Sequence, residues 1–218
     1  MRTRRTVAVY IDGFALYKAL LQHKYPQYKW LDLEAFSRRL FPHRDVAQVK
    51  YFSAQLKPRT NDPGIGQRQQ IFWRALRTTG VEIVEGKFSF VRQWLPLHPE
   101  KLDVHGKVIT TLVKRPEEKG TDVALASHLI LDALDGVADS YAVLTNDSDL
   151  APPVEMLAQR GHDVALVSVA GSNYNKAFDL AGIRTVRQIR RATLHASQFP
   201  STLVDGEGRT IRKPPTWR

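Results

Sequence analysis

The 218-residue sequence predicts an α/β fold, with a mostly parallel central sheet between two layers of helices, a hairpin or loop excursion, and a C-terminal tail. Three observations carry this expectation. Strand-like and helix-like segments alternate along the chain, as the crossovers between parallel strands require. The runs "VAVYI", "YAVLT" and "VALVSV" are almost continuously apolar, as strands buried on both faces are. Hydrophobic content of 43% and charged content of 25% are ordinary for a globular chain.

Taken in order, "TVAVYI" (6–11) reads as the first strand and "FALYKALLQ" (14–22) has helical spacing. "LDLEAFSRRLF" (31–41) reads as a helix capped by Asp32, and 46–56 contains a strand. "GQRQQIFWRALRTTG" (66–80) is a helix ended by Gly80. "VEIVEGKFSF" (81–90) and "KVITTLVKR" (107–115) are strand-like. Pro96, Pro99 and Gly106 between them mark a protruding hairpin or loop. "TDVALASHLILDALDG" (121–136) is a long helix, "SYAVLTN" (140–146) a strand, about 150–160 a helix, and "HDVALVSV" (162–169) a strand. "NKAFDLAG" and "TVRQIRRATL" read as short helical pieces. The expected division is one domain over 1–194 and a tail over 195–218, docked by Phe199 and Trp217.

The chain has no cysteine, which excludes disulfides, thiolate zinc sites and cysteine nucleophiles. No apolar run is long enough to suggest a membrane span, so the sequence points to the cytoplasm. A formal net charge of +10 is the electrostatic footprint expected of a protein that meets nucleic acid.

Against that basic background, acids gather where strands end. Asp12 closes the first strand, and Asp147 and Asp149 follow "YAVLT". In an open parallel sheet, ligands sit outside the carboxyl ends of the strands, near a reversal of strand order. Asp122 opens the long helix at the same predicted edge, behind Gly120 for a tight turn and Thr121 as a cap. Two carboxylates about 4 Å apart repel by roughly 4 kcal/mol at an effective dielectric of 20, so four together call for a cation. Hard oxygen donors select Mg²⁺ or Mn²⁺, and beside a basic surface such a site suggests phosphodiester hydrolysis. Each acid also has a local reading: Asp149 as a helix cap, Asp122 as a first-turn acid, Asp12 as a turn residue.

Arg59, Arg68 and Arg74, interleaved with Phe72 and Trp73, suggest a phosphate-gripping surface, although Phe72 and Trp73 also suit a core. Arg187, Arg190 and Arg191 form a second basic group, read either as a solvated face or as phosphate contacts. His128 lies off the line of Asp122 and reads as a packed histidine rather than a base.

The segments "VAVYIDGFALY", "EEKGTDVALASHLILDA" and "VLTNDSDLAPPVEMLAQRGHDVALVS", in that order, resemble the NYN domain family of the PIN-like nuclease fold. The likeness runs on through "IRRATLHASQFPSTLVDGEGRTIRKPPTW", which resembles a stand-alone bacterial subgroup. It implies a Rossmann-like sheet, a ribonuclease activity, and a Mg²⁺ or Mn²⁺ pocket of Asp12, Asp122, Asp147 and Asp149. Asn146, Ser148 and Thr121 would be its supporting neighbours, RNA its partner, and a homodimer is compatible with it. The family commonly reads D-G-F-N-L-Y where this chain has Ala15, and the subgroup T-D-V-N where it has Ala124. Loss of amides beside a metal site typically costs about 10–100-fold in affinity or activity. The alternative expectation is therefore an RNA-binding protein with weakened catalysis.

Overall fold

In a computed structural model, residues 4–171, 173–180, 182–183 and 185–217 are described, without the side chains of 116 and 180. The strands are β1 (Thr6–Asp12), β2 (Asp45–Ala54), β3 (Glu82–Pro96), β4 (Thr110–Lys119), β5 (Tyr141–Thr145), β6 (Val164–Ser168) and β7 (Thr185–Gln188). Among the described residues they form one sheet in the order β4-β3-β2-β1-β5-β6-β7. All neighbours are parallel except β3 and β4, which pair antiparallel. The expected sandwich is present, and it is PIN-like and Rossmann-like in its layering. Strand order reverses between β1 and β5, which places the ligand crevice of such a sheet at their carboxyl ends.

The two-residue period of β1 feeds both cores. Val7, Val9 and Ile11 point to one face, Ala8 and Tyr10 to the other. The first face is covered by α1 (Gly13–Leu16), α2 (Leu33–Leu40), α3 (Ile65–Arg77) and α7 (Arg191–Ala196). The second is covered by α4 (Thr121–Leu134), α5 (Ala151–Gln159) and α6 (Ala177–Leu180).

Local chemistry sets the helix ends. Asp32 caps α2 by accepting from the backbone N–H groups of Glu34 and Ala35. Pro152 and Pro153 lie in the first turn of α5, where a missing N–H costs nothing. Gly120 precedes α4 at φ 85°, a left-handed conformation that a side chain would strain.

Two expectations are corrected, and the expected hairpin is longer than the sequence suggests. The helix read over 14–22 is the single turn α1 followed by a wider π-type turn over Tyr17–Leu21. Residues 185–188, read as helical, form the edge strand β7, because pairing with β6 outweighs their weak local preference. The 81–90 and 107–115 strands extend into one long arm, β3 and β4, paired from Lys87↔Lys119 to Pro96↔Thr110.

The last residues are not loose. A small hairpin of β8 (Thr202–Val204) and β9 (Thr210–Arg212) brings Ile211 into the first core. Phe199 and Trp217 both pack on Trp30, and Arg74 of α3 pairs with Asp205 at 2.9 Å. Among the described residues no helix is long and apolar enough to cross a membrane.

Candidate nuclease site

Asp12, the last residue of β1, is 8% exposed. Its Oδ1 accepts from the Ala15 N–H at 2.9 Å and its Oδ2 from the Thr145 hydroxyl at 2.9 Å. The Thr145 hydroxyl also accepts from the Asp147 backbone N–H at 3.1 Å. One buried threonine at the end of β5 thus ties together the acids that flank the switch between β1 and β5. Burial raises the Asp12 pKa, and the Asp147 charge adds to this against the hydrogen bonds from Ala15 and Thr145.

Asp147 is the residue that caps the turn Ser148–Leu150, accepting from the Asp149 N–H at 3.0 Å. Asp149, read as a helix cap, does not cap α5, which begins behind Leu150 without a side-chain cap, and its side chain stands exposed. Asp122 begins α4 beside them. Partial loss of solvent raises its pKa, and the charges of Asp12, Asp147 and Asp149 push the same way. Thr121, one position before Asp122, heads the buried stripe, which runs Thr121, Leu125, Leu129, Ala133. The shift by one position leaves Asp122 at the open rim.

A fifth acid joins them. Glu118, near the end of β4, accepts from the Ala54 N–H at 3.2 Å and from the Thr121 side chain. Burial raises its pKa despite those bonds, with Asp12 and Asp122 adding to the rise. Glu118 is not legible as a site residue in the sequence, because it sits in the stretch "KRPEEKG" and reaches the rim only through strand pairing. Its signal was two adjacent acids two residues before Asp122's turn.

Among the described residues no group of three or more His, Asp or Glu side chains is arranged so that it could hold a metal ion as it stands. The donor set is nevertheless all carboxylate oxygen. Mg²⁺ commonly uses one or two carboxylates and completes its shell with water and phosphate. Asp12 and Asp147, joined through Thr145, fit that requirement.

The remaining candidates divide. Asn146 accepts from the Asn175 N–H at 2.8 Å and so anchors the loop after β6, while Ser148 is exposed. Arg59 and Arg68 line a cavity of about 340 Å³ next to the rim, shared with Gly13, Tyr51 and Glu118. Phe72 and Trp217 wall it, and Lys29 and Asp62 stand in its lining. Burial lowers the Lys29 pKa, as does the Arg68 charge. Arg74 is held by Asp205, Arg187 lies over the Phe41 ring at 4.7 Å, and Arg191 donates to the Tyr28 hydroxyl at 3.3 Å. Arg190 is exposed just beyond the carboxyl end of β7. Trp73 is fully buried.

A crystal structure of a protein of unknown function from Vibrio parahaemolyticus RIMD 2210633 superposes with a TM-score of 0.55 at 17% identity. The match covers 88% of this chain and 96% of that one, and shows the fold. In sequence, the chain is 29% identical to the 6-hydroxy-3-succinoylpyridine 3-monooxygenase HspA of Pseudomonas putida, over 100% of this chain and 75% of that protein. The NYN domain model matches residues 6–182, which carry every acid of the rim. The chain belongs to the NYN domain family, a nuclease-like family.

Proposed function

We propose that this protein is a metal-dependent ribonuclease acting at the rim of Asp12, Glu118, Asp122, Asp147 and Asp149. The observation that carries the reading is the convergence of these acids at the β1/β5 switch point, where burial and then neighbouring carboxylate charges raise the pKa of Asp12, Glu118 and Asp122, beside a cavity bearing Arg59 and Lys29. Such mutual repulsion is tolerated where a cation and a phosphate complete the site.

Asp12 and Asp147 would hold Mg²⁺ or Mn²⁺, with Thr145 fixing their spacing. The ion supplies activation of water and charge neutralisation at the phosphate. Asp122 and Glu118, whose pKa values are raised by burial and by the neighbouring acids, suit proton exchange with the attacking water and the leaving oxygen. Arg59 and Arg190 grip the backbone, while Arg68 is held by the Asp62 carboxylate. The test is cleavage of labelled single-stranded RNA with and without Mn²⁺. Activity is expected to vanish in chelator and in Asp147→Asn. Persistent cleavage in either would overturn the mechanism.

A second reading has one specific observation behind it. The 340 Å³ cavity walled by Tyr51, Phe72 and Trp217 has room for a single planar ring, with cations for an acidic arm. The HspA relative is, by its name, a monooxygenase of a succinoylated hydroxypyridine. Calorimetry with a carboxylated hydroxypyridine separates the two. Saturable binding of that probe with no retention of RNA favours the small-molecule reading.

A further inference from the structure

The β3–β4 arm carries two unlike faces, and one of them leads to the acidic rim. Alternation places Phe88, Phe90, Arg92 and Trp94 of β3 on one face. Leu112, Lys114 and Glu118 of β4 lie opposite them, in the pairs Trp94↔Leu112, Arg92↔Lys114 and Phe88↔Glu118. Direct contacts agree with this assignment. The Phe88 and Phe90 rings meet at 5.7 Å, and the Lys114 ammonium lies 4.6 Å from the Phe90 centroid. Trp94 is 65% exposed and Leu112 50%. The face therefore runs from an exposed tryptophan, past two cations and two phenylalanines, to a carboxylate of the rim. Glu118 lies six positions after Leu112 on β4, about 20 Å of strand.

The cations are the informative part. Arg92 and Lys114 stand directly across from one another, an arrangement that like charges destabilise. Among the described residues neither has a carboxylate within ion-pair distance. A polyanion relieves the repulsion. A second copy of this chain docked symmetrically on the same face would worsen it, because both pairs would meet. Aromatic rings alternating with cations suit a strand whose bases are splayed. A duplex of A-form RNA keeps its base faces stacked and its major groove too narrow to enter.

We propose that this face of the arm is a track for single-stranded RNA, with bases stacked on Trp94, Phe90 and Phe88 and phosphates against Arg92 and Lys114. The proposal rests on the nuclease reading for where the strand leads, but not for whether it binds. The track delivers an unpaired strand to Glu118 and the acids beyond it.

The test measures anisotropy of a short labelled polyuridine strand in chelator, where metal-dependent cleavage is silent. Trp94→Ala is expected to weaken binding about tenfold. The double variant Arg92→Ala/Lys114→Ala is expected to flatten the log–log salt dependence by about 1.4, at about 0.7 per phosphate on single strands. Unchanged melting curves for both variants report that these exposed substitutions leave the fold intact. Wild-type binding within about twofold in both variants would overturn the proposal. So would tighter binding of a duplex, no binding by the wild type, or a wild-type dimer that Trp94→Ala dissociates. Cleavage of the same strand in Mn²⁺ is scored separately. Arm-dependent binding without cleavage removes the nuclease reading and leaves the track standing.

Discussion

The Thr145 hydroxyl donates to the Asp12 carboxylate at 2.9 Å, inside a site where the threonine itself is wholly buried. Thr145→Val keeps the shape and deletes the bond, leaving a buried acid short of one donor. Hydrogen bonds to charged groups contribute about 1.5–3 kcal/mol, so a loss near 2 kcal/mol is expected in urea denaturation at neutral pH. Mn²⁺-dependent cleavage should fall about 10–100-fold, because the Asp12–Asp147 spacing is no longer held. Thr145→Ser should retain both. Equal loss in the serine variant would show that the methyl, not the hydroxyl, matters.

At the far end of α4, Asp132 accepts from Lys50 at 2.6 Å, from Tyr10 at 2.7 Å and from Gln48 at 2.8 Å. The Lys50 and Asp132 side chains are 8% and 15% exposed, with His128 at 3.1 Å and Glu82 at 3.8 Å from the ammonium. Desolvation alone would raise the Asp132 pKa. The Lys50 and Tyr10 hydrogen bonds and the Lys50 charge outweigh it and hold the carboxyl below its ordinary value. A depressed acid contributes stability above its unfolded pKa and loses it as pH falls through the folded value. Asp132→Asn should therefore cost about 3 kcal/mol at pH near 7, where a buried lysine is left unpaired. The gap from wild type should close below about pH 4. Denaturation midpoints at both pH values check it, and a gap independent of pH would rule out the ion pair as its cause.

Ala15 and Ala124 flank the rim, one beyond the Asp12 turn and one on the first turn of α4, both half-buried. Ala15→Asn with Ala124→Asn restores an amide at each place. If amides orient the carboxylates, Mn²⁺-dependent cleavage should rise about 10–100-fold. Unchanged turnover, measured on the same RNA, would show that this chain does not depend on them.

Gly13 lies where α1 leaves β1. A Cβ there would fall 2.7 Å from the Phe52 carbonyl oxygen and 2.7 Å from the Tyr51 ring. Gly13→Ala should destabilise by about 1–3 kcal/mol through overpacking, and should impair cleavage as Tyr51 is pushed into the cavity. A melting midpoint equal to wild type would mean that the turn relaxes without cost.

Much of this is legible in the sequence alone. The apolar runs of β1, β5 and β6 are local patterns, and so is the Asp32 cap of α2. Asp12, Asp147 and Asp149 were legible because acids directly after buried strands stand out within a few residues of sequence. Other parts depend on partners distant in the chain. Glu118 reaches the rim because β4 pairs antiparallel with β3, opposite Phe88. Arg74 looks like a phosphate contact in its own segment, yet Asp205, far along the chain, takes it as a salt-bridge partner. Residues 185–188 become a strand because β6 offers an open edge.

The sequence by itself determined the α/β class, the order of most elements and the three acids that end strands, since periodicity and burial preference act over neighbouring residues. Tertiary structure decided which strands lie side by side, that order reverses between β1 and β5, and that Thr145 and Glu118 join Asp12 there. Strand pairing and desolvation are non-local: they join residues more than a hundred positions apart, and no short stretch of sequence records its partner.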